Sequence, residues 1–213
     1  MKTELLLIRH GESEGNRLHV FCGRTDVPLT DRGRMQAEAT AEFLKDRTIH
    51  AFYSSPLSRA YDTCLATANR FGKSVEKVDG FAEIFGGEWE NLSFDEITER
   101  YPEELKVWNE AIGLCRIPGG ETPEQVQNRG YAALEAVAKA HPGQTVCIAA
   151  HGMLIRTVVT KIIGLPLEQL HTYPWAPNAS VTTVEYEDGV FRLVEHGARE
   201  HLKELFTTFP TKI

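Results

Sequence analysis

Apolar residues occur along this chain in short uninterrupted runs, and two of these runs end in a histidine that is followed by a glycine. Residues 5–8 (LLLI) lead into an Arg-His-Gly sequence that contains His10, and residues 145–150 (TVCIAA) lead into His151. Runs of this length without alternation are typical of parallel strands that are buried on both faces. Because open α/β sheets bind ligands at the carboxyl ends of their strands, we expect both histidines at one rim of a sheet.

A helix is predicted after the irregular stretch that follows the first run. Thr30 suits its N-cap position, because a threonine hydroxyl accepts a hydrogen bond from a backbone amide in the first turn. Met35, Ala39 and Phe43 recur at every fourth residue, and this spacing predicts that they form the face that packs on the core.

A third part of the same rim is predicted between the two runs. Residues 51–54 have the composition of a short strand, and Ser55-Pro56 are suited to the N-cap and first position of a helix that Gly72 would end. Arg59 would then lie in the first turn of this helix. Strands that alternate with helices in this way pair in parallel through right-handed crossovers.

The alternation is interrupted by residues 84–120, which we call the cap segment. Ser93 and Glu96 have the spacing of a capping box at a helix start, and Thr122 and Gln125 repeat it just after the segment. The sequence therefore predicts a small helical cap, followed by a long helix that leads to the second apolar run.

The last part of the chain has the pattern of a β-hairpin. Asp188-Gly189 separates two β-rich runs, 180–186 and 190–194, and is a strong signal for a two-residue turn. The predicted fold class is α/β, a three-layer α/β/α arrangement with a mostly parallel central sheet and a small helical cap insertion. We expect residues 1–213 to form one domain.

Composition narrows the possible classes of protein. The chain is 42% hydrophobic and 25% charged, as in ordinary globular proteins, and its net charge of -7 argues against a nucleic-acid or anionic-membrane surface. No apolar run is long enough to span a membrane, and residues 1–10 lack the apolar region of a signal peptide. A cytoplasmic location is therefore expected.

Neither a metal site nor a disulfide framework is indicated. The four cysteines are widely scattered without CxxC spacing. Six further histidines also lack ligand spacing and are expected to be structural or on the surface: His19, His50, His141, His171, His196 and His201. Trp89, Trp108 and Trp175 are expected to pack in the core or the cap. We therefore expect no metal and no cofactor.

Two histidines and two arginines are predicted to meet at the rim. A guanidinium binds phosphate oxygens through a planar fork of N–H donors. An imidazole can act as a nucleophile through one ring nitrogen when a hydrogen bond fixes the other. Together with a helix N-terminus, Arg9, His10, Arg59 and His151 predict an oxyanion site, and specifically a phosphate site.

Over nearly its whole length the chain also resembles a known family. The motifs RHGESEGN, DVPLTDRGRMQA, SPLSRAYDT, GGETPEQVQNR, AAHG and PNASVTTVEY are similar, in this order, to those of the histidine phosphatase superfamily, which has the phosphoglycerate-mutase-like fold. The cap segment resembles that of the small phosphatase branch, which contains broad-specificity and α-ribazole phosphatases. The resemblance implies metal-independent hydrolysis of phosphomonoesters through a phosphohistidine on His10.

The resemblance further implies roles for individual residues. His151 would stabilise the transition state, and Glu83 would be the acid, because it matches the carboxylate at the head of the cap in small family phosphatases. The candidate catalytic residues are His10, Glu83, His151, Arg9 and Arg59. The candidate phosphate ligands are Arg9, Asn16, Gly23, Arg59, His151 and Gly152.

Two alternatives share these residues. A cofactor-dependent phosphoglycerate mutase has the same histidines but holds two phosphates with a longer, basic insertion, whereas the cap segment has only Arg100, Lys106 and Arg116 as basic residues. A non-catalytic module that binds phospho-ligands is the second alternative, and the presence of all five candidate catalytic residues argues against it. The expected partner is a small-molecule phosphomonoester, with no nucleic acid and no membrane; the sequence does not predict the oligomeric state.

Overall fold

Six strands form a single mixed sheet in the computed structural model, which describes residues 1–207. The strands are β1 Thr3–Arg9, β2 Ala51–Ser54, β3 Glu76–Lys77, β4 Thr145–Ala150, β5 Val181–Glu187 and β6 Val190–Ala198. Their order is β3-β2-β4-β1-β5-β6; the first four are parallel, and β5 and β6 are antiparallel to their neighbours. The mostly parallel sheet predicted from the sequence is thus confirmed.

Helices cover both faces of the sheet. They are α1 Glu14–Leu18, α2 Asp31–Phe43, α3 Ser58–Arg70, α4 Phe94–Arg100, α5 Pro102–Ala111, α6 Pro123–Ala140 and α7 Gly152–Ile162. Leu5 and Leu7 of β1 pack in one core with side chains from α6 and α7, whereas Leu6 and Ile8 pack in a second core with side chains from α3. The four residues are 0 to 4% exposed, as expected for a strand buried on both faces.

Helix α2 faces the core with a different set of residues from the predicted one. Its N-cap is Thr30, as predicted, but Met35 is 52% and Phe43 is 40% exposed. The buried residues are Gly33, Gln36, Ala37, Thr40 and Ala41. The prediction of a Met35, Ala39 and Phe43 core face is therefore wrong.

Close backbone packing explains the inward face of α2. A Cβ atom at Gly33 would lie 2.0 Å from the carbonyl oxygen of Glu12, so only glycine allows the helix to approach the loop after β1. The Gln36 side chain accepts a hydrogen bond from the Glu12 amide at 2.7 Å, and the Thr40 hydroxyl donates to the Ala179 carbonyl at 2.8 Å. Small and polar residues face inward in α2 because this face packs against the backbone of other segments and forms hydrogen bonds with it.

Helix α3 begins two residues later than predicted, at Ser58. The N-cap residue is Leu57, whose side chain makes no capping bond. Instead, Asp26 accepts hydrogen bonds from the Ser58 amide at 2.8 Å and from its hydroxyl at 2.7 Å. The predicted N-cap Ser55 is therefore available for another partner, and Arg59 still lies in the first turn.

The local signals in the second half of the chain are confirmed. Both capping boxes form, at the start of α4 and at the start of α6. Asp188 and Gly189 have φ values of 52° and 83°, as a tight hairpin turn requires, and they connect β5 to β6. Within residues 1–207, no helix is both long enough and apolar enough to cross a membrane.

Candidate active site

The two His-Gly sequences meet at one edge of the sheet. Arg9 of β1 pairs with Ala150 of β4, so His10 and His151 follow from adjacent strand ends. The His10 amide donates to the Ala150 carbonyl at 3.0 Å, and the centroids of the two imidazole rings are 5.1 Å apart. The topology thus brings together two side chains that are 141 positions apart in the sequence.

The His10 ring is fixed through its Nδ1 atom. This atom lies 2.6 Å from the carbonyl oxygen of Gly11, and the Gly11 amide in turn donates to the Thr63 hydroxyl at 3.0 Å. Burial, followed by the charges of Arg59 and Arg9, lowers the pKa of His10 well below its ordinary value. The ring is therefore neutral at neutral pH, and only a protonated Nδ1 can donate to a carbonyl oxygen.

The His151 ring is held through the other nitrogen. Its Nε2 lies 2.7 Å from the hydroxyl of Ser55, whereas its buried Nδ1 has no hydrogen-bond partner within residues 1–207. The Ser55 oxygen also accepts a bond from the Leu57 amide at 3.2 Å. Burial, followed by the charge of Arg59, lowers the pKa of His151 well below its ordinary value, so this ring is neutral as well.

Both candidate arginines are buried and bind backbone carbonyls. Arg9 donates to the Ala176 carbonyl at 2.7 Å. Arg59 donates to the carbonyls of Thr25 at 2.9 Å and Gly23 at 2.8 Å, and thereby orders the loop before α2. Burial lowers the pKa of Arg9 to about 10, with Glu83 acting in the opposite direction, so Arg9 is still cationic at neutral pH.

Glu83 binds the N-terminus of α7, which begins directly after His151. Its carboxylate accepts hydrogen bonds from the amides of Met153 at 3.1 Å, Leu154 at 3.2 Å and Ile84 at 2.9 Å. Free amides and the helix dipole at this end of a helix favour a carboxylate. The carboxyl group is thereby held next to the strand end that carries His151.

A cavity of about 160 Å³ lies beside these groups. Five predicted site residues are in its lining: Arg9, Asn16, Gly23, Glu83 and Gly152. The apolar lining residues are Val20, Phe21, Ile84, Phe94, Trp108, Met153 and Trp175. His10, Arg59 and His151 are 4%, 1% and 0% exposed and are not among the lining residues.

Several residues of the site were assigned other roles, or none, from the sequence. Trp108 and Trp175 line the cavity, although packing roles were predicted for both, and exposed His19 also lines it. Asn178 is fully buried and its side-chain amide donates to the His10 carbonyl at 2.8 Å and to the Asn16 side-chain oxygen at 3.3 Å. Asn178 belongs to the PNASVTTVEY motif, but no role of its own was assigned to it from the sequence.

No cluster of three or more His, Cys, Asp or Glu side chains within residues 1–207 has the geometry of a metal site. The cationic guanidinium groups of Arg9 and Arg59, together with N–H donors, are groups that bind anions. The described residues are therefore suited to binding an oxyanion directly.

Comparison with known proteins agrees with this chemistry. The model of the histidine phosphatase superfamily (branch 1) matches residues 5–199. The chain is 32% identical over 204 residues to phosphoserine phosphatase 1 of Hydrogenobacter thermophilus, with 96% of each chain covered. It is 34% identical over 189 residues to a metal-independent phosphoserine phosphatase of Arabidopsis thaliana, with 87% of this chain and 77% of the relative covered. The solved structure of Bacillus stearothermophilus YhfR superposes with a TM-score of 0.91 and 30% identity, and the match covers 94% of this chain and 99% of that one.

Proposed function

The chain belongs to branch 1 of the histidine phosphatase superfamily and is a phosphoric monoester hydrolase, and we propose that Nε2 of His10 is its nucleophile. The observation that carries this proposal is the 2.6 Å contact between His10 Nδ1 and the Gly11 carbonyl. A carbonyl oxygen only accepts, so the proton of the neutral ring is on Nδ1 and the lone pair is on Nε2. That lone pair attacks phosphorus, and the bond from phosphorus to the ester oxygen breaks.

We assign the opposite tautomer to His151. The Leu57 amide already donates to the Ser55 oxygen, so the Ser55 hydroxyl proton is available for Nε2 of His151. The proton of this ring is then on Nδ1, the nitrogen that has no partner among the described residues. Nδ1–H donates to a phosphoryl oxygen as negative charge increases there in the transition state.

The remaining phosphate ligands surround these rings. Arg9 and Arg59 supply positive charge in a region shielded from water, where it acts strongly on an anion. The side-chain oxygen of Asn16 accepts hydrogen bonds from Ser13 and Asn178, which leaves its NH2 group to donate to the ligand. A Cβ atom at Gly152 would lie 3.2 Å from Arg9 Cζ, and one at Gly23 would lie 2.2 Å from the Ile84 carbonyl oxygen, so the two glycines allow the backbone to pack closely against Arg9 and the cap segment.

Glu83 supplies the proton that the leaving oxygen needs. Among the described residues that line the cavity, it has the single carboxyl group. In the first step the protonated form of Glu83 gives its proton to the ester oxygen as the alcohol leaves, and the amides of Met153 and Leu154 bind the carboxylate that results. In the second step it takes a proton from water, whose oxygen attacks phosphorus, and the bond to His10 Nε2 breaks to release inorganic phosphate.

The substrate is a small phosphomonoester whose alcohol part occupies the apolar section of the cavity. Ile84, Phe94 and Trp108 of the cap segment contribute to that section. We therefore propose that residues 84–120 select the substrate within one domain that spans residues 1–213. The names of the relatives make phosphoserine the first compound to test.

Release of free phosphate from a panel of esters in the presence of EDTA tests the function. The panel contains phosphoserine, 3-phosphoglycerate, α-ribazole phosphate and simple alkyl phosphates, and we expect hydrolysis of at least one without a metal ion. Isomerisation of 3-phosphoglycerate with catalytic 2,3-bisphosphoglycerate that outpaces all hydrolysis would favour the mutase. Binding of inorganic phosphate without turnover of any ester would favour the non-catalytic module.

A further inference from the structure

Arg129 of α6 binds the segment that carries Glu83 through three backbone carbonyls. Its Nη1 donates to the carbonyl oxygens of Gly80 at 3.1 Å and Ala82 at 2.6 Å, and its Nη2 donates to that of Glu83 at 2.8 Å. The side chain is 20% exposed and also forms an ion pair with Glu121 at 2.9 Å. A single guanidinium thus fixes the backbone on the amino-terminal side of the Glu83 side chain.

Glu121 fixes the same segment on the other side. Its carboxylate accepts a hydrogen bond from the Phe85 amide at 2.9 Å while it binds Arg129 through Nε and Nη2. Burial raises the pKa of Glu121, but its bonds to Arg129 and Phe85 outweigh this effect and hold the pKa below its ordinary value. The pair Arg129 and Glu121 therefore holds residues 80–85 from both sides of Glu83.

The Glu83 carboxylate itself has no contact with Arg129 among the hydrogen bonds described. It binds the amides of Met153 and Leu154 in α7, a helix that Arg129 does not hold. Two separate sets of contacts therefore position the Glu83 carboxyl group in the cavity. The amides at the N-terminus of α7 bind its oxygens, and Arg129 and Glu121 bind the backbone of residues 80–85.

We propose that Arg129 is a positioning residue that sets the distance and direction of the Glu83 proton relative to the leaving oxygen of the substrate. This inference rests on the proposed role of Glu83 as the acid. Misplacement of a reacting group by about 1 Å can cost on the order of 10²-fold in rate. Loss of the guanidinium fork would therefore lower proton transfer while leaving the attack by His10 unchanged.

Lysine is the informative replacement because it keeps the charge near Glu121 but cannot reach three carbonyls with a planar fork. We expect Arg129→Lys to slow single-turnover phosphorylation by an alkyl phosphomonoester by about tenfold or more. The same variant should slow phosphorylation by p-nitrophenyl phosphate much less, since p-nitrophenolate leaves without a proton. Glu121→Gln keeps Arg129 and weakens its orientation, so it should give a smaller loss with the same dependence on the ester.

Arg156 offers a matched control. It also donates to three carbonyls, those of Tyr173 at 2.8 Å, Leu170 at 2.7 Å and His171 at 3.3 Å, and it packs on the ring of Trp175, but none of these contacts involves residues 80–85. Any loss in Arg156→Lys should be the same for both esters. Thermal unfolding of every variant identifies losses that come from a destabilised fold.

A double-mutant cycle with Glu83→Gln shows whether Arg129 positions the Glu83 proton or only stabilises the structure around it. If Arg129 acts through the Glu83 proton, Arg129→Lys adds no further loss on the alkyl ester once Glu83 is Gln. Equal losses on both esters, or a full additional loss in the Glu83→Gln background, would overturn the proposal while leaving Glu83 as the acid. If Glu83→Gln alone slows both esters equally, Glu83 is not the acid, and the proposed function and this inference both fail at that step.

Discussion

His10 and His151 follow the ends of adjacent parallel strands, each is followed by glycine, and both are buried and neutral, yet their rings are bonded through opposite nitrogens. At His10 the partner is a carbonyl, which can only accept, and it binds Nδ1. At His151 the partner is the Ser55 hydroxyl, which can donate, and it binds Nε2. In the function proposed above, the same two-residue motif supplies a nucleophile at one strand and a hydrogen-bond donor at the other, and the neighbouring groups decide which.

The largest expected effect is that of removing the nucleophile. His10→Ala should lower the turnover rate by on the order of 10⁵-fold or more, because no other group of the site is placed to form the covalent bond to phosphorus. Release of phosphate from the best substrate of the panel measures this loss. A residual rate within about a hundredfold of the wild type would mean that His10 does not form the intermediate.

Removing the donor should have a smaller effect. His151→Ala is expected to slow phosphorylation by on the order of 10² to 10³-fold, the usual scale for loss of one donor to a developing oxyanion. The variant should still form its phosphoenzyme on His10, more slowly. Rapid-quench measurement gives the rate of phosphorylation. A variant that forms no phosphoenzyme at all would mean that formation of the phosphohistidine requires both histidines.

The orientation of the His151 ring can be tested through its partner. Ser55→Ala removes the hydroxyl that fixes Nε2, and because a hydrogen bond contributes about 1 kcal/mol, phosphorylation should slow by roughly five- to tenfold. Ser54→Ala is the matched control: its hydroxyl is also buried but donates to the Ser55 carbonyl and contacts no ring. Equal rates in the two variants would contradict the role of the Ser55 hydroxyl in orienting the His151 ring.

A stability effect follows from the neutral state of both rings. Burial lowers the pKa of His151 in the folded protein, so below pH 6.5 the unfolded chain binds a proton there that the folded protein does not. The free energy of unfolding therefore falls as the pH drops below 6.5. His151→Gln should reduce this slope by up to about 1.4 kcal/mol per pH unit in urea unfolding between pH 5 and pH 7. An unchanged slope in His151→Gln would mean that the folded protein also binds a proton at this ring.

The parts of this fold that were predictable from the sequence depend on local signals. Strands β1 and β4 were visible as apolar runs, the capping boxes depend on residues three positions apart, and Asp188-Gly189 predicts its turn. Convergence of the strand ends follows from the topology rule for parallel sheets. These features need only neighbouring residues or a general rule of chain connection.

The contacts that were not predictable come from distant parts of the chain. Helix α3 starts late because Asp26, 32 positions before Ser58, provides its cap. Helix α2 turns Gln36 inward because the Glu12 amide needs an acceptor. The bond from Asn178 to His10 spans 168 positions, and the partners of the two rings depend on loop geometry that no periodicity encodes. The sequence thus predicted which residues meet, whereas the tautomers required the structure.

The position of the phosphoryl group in the trapped phosphoenzyme is the most direct test of the contrast between the two histidines. An alkaline quench during turnover, followed by peptide mapping and separation of the two phosphohistidine isomers, identifies both the residue and the ring nitrogen. We expect an acid-labile, alkali-stable phosphate on Nε2 of His10, in the wild type and in His151→Ala alike. Phosphate on Nδ1 of His10, on His151, or at wild-type levels in His10→Ala would contradict the account.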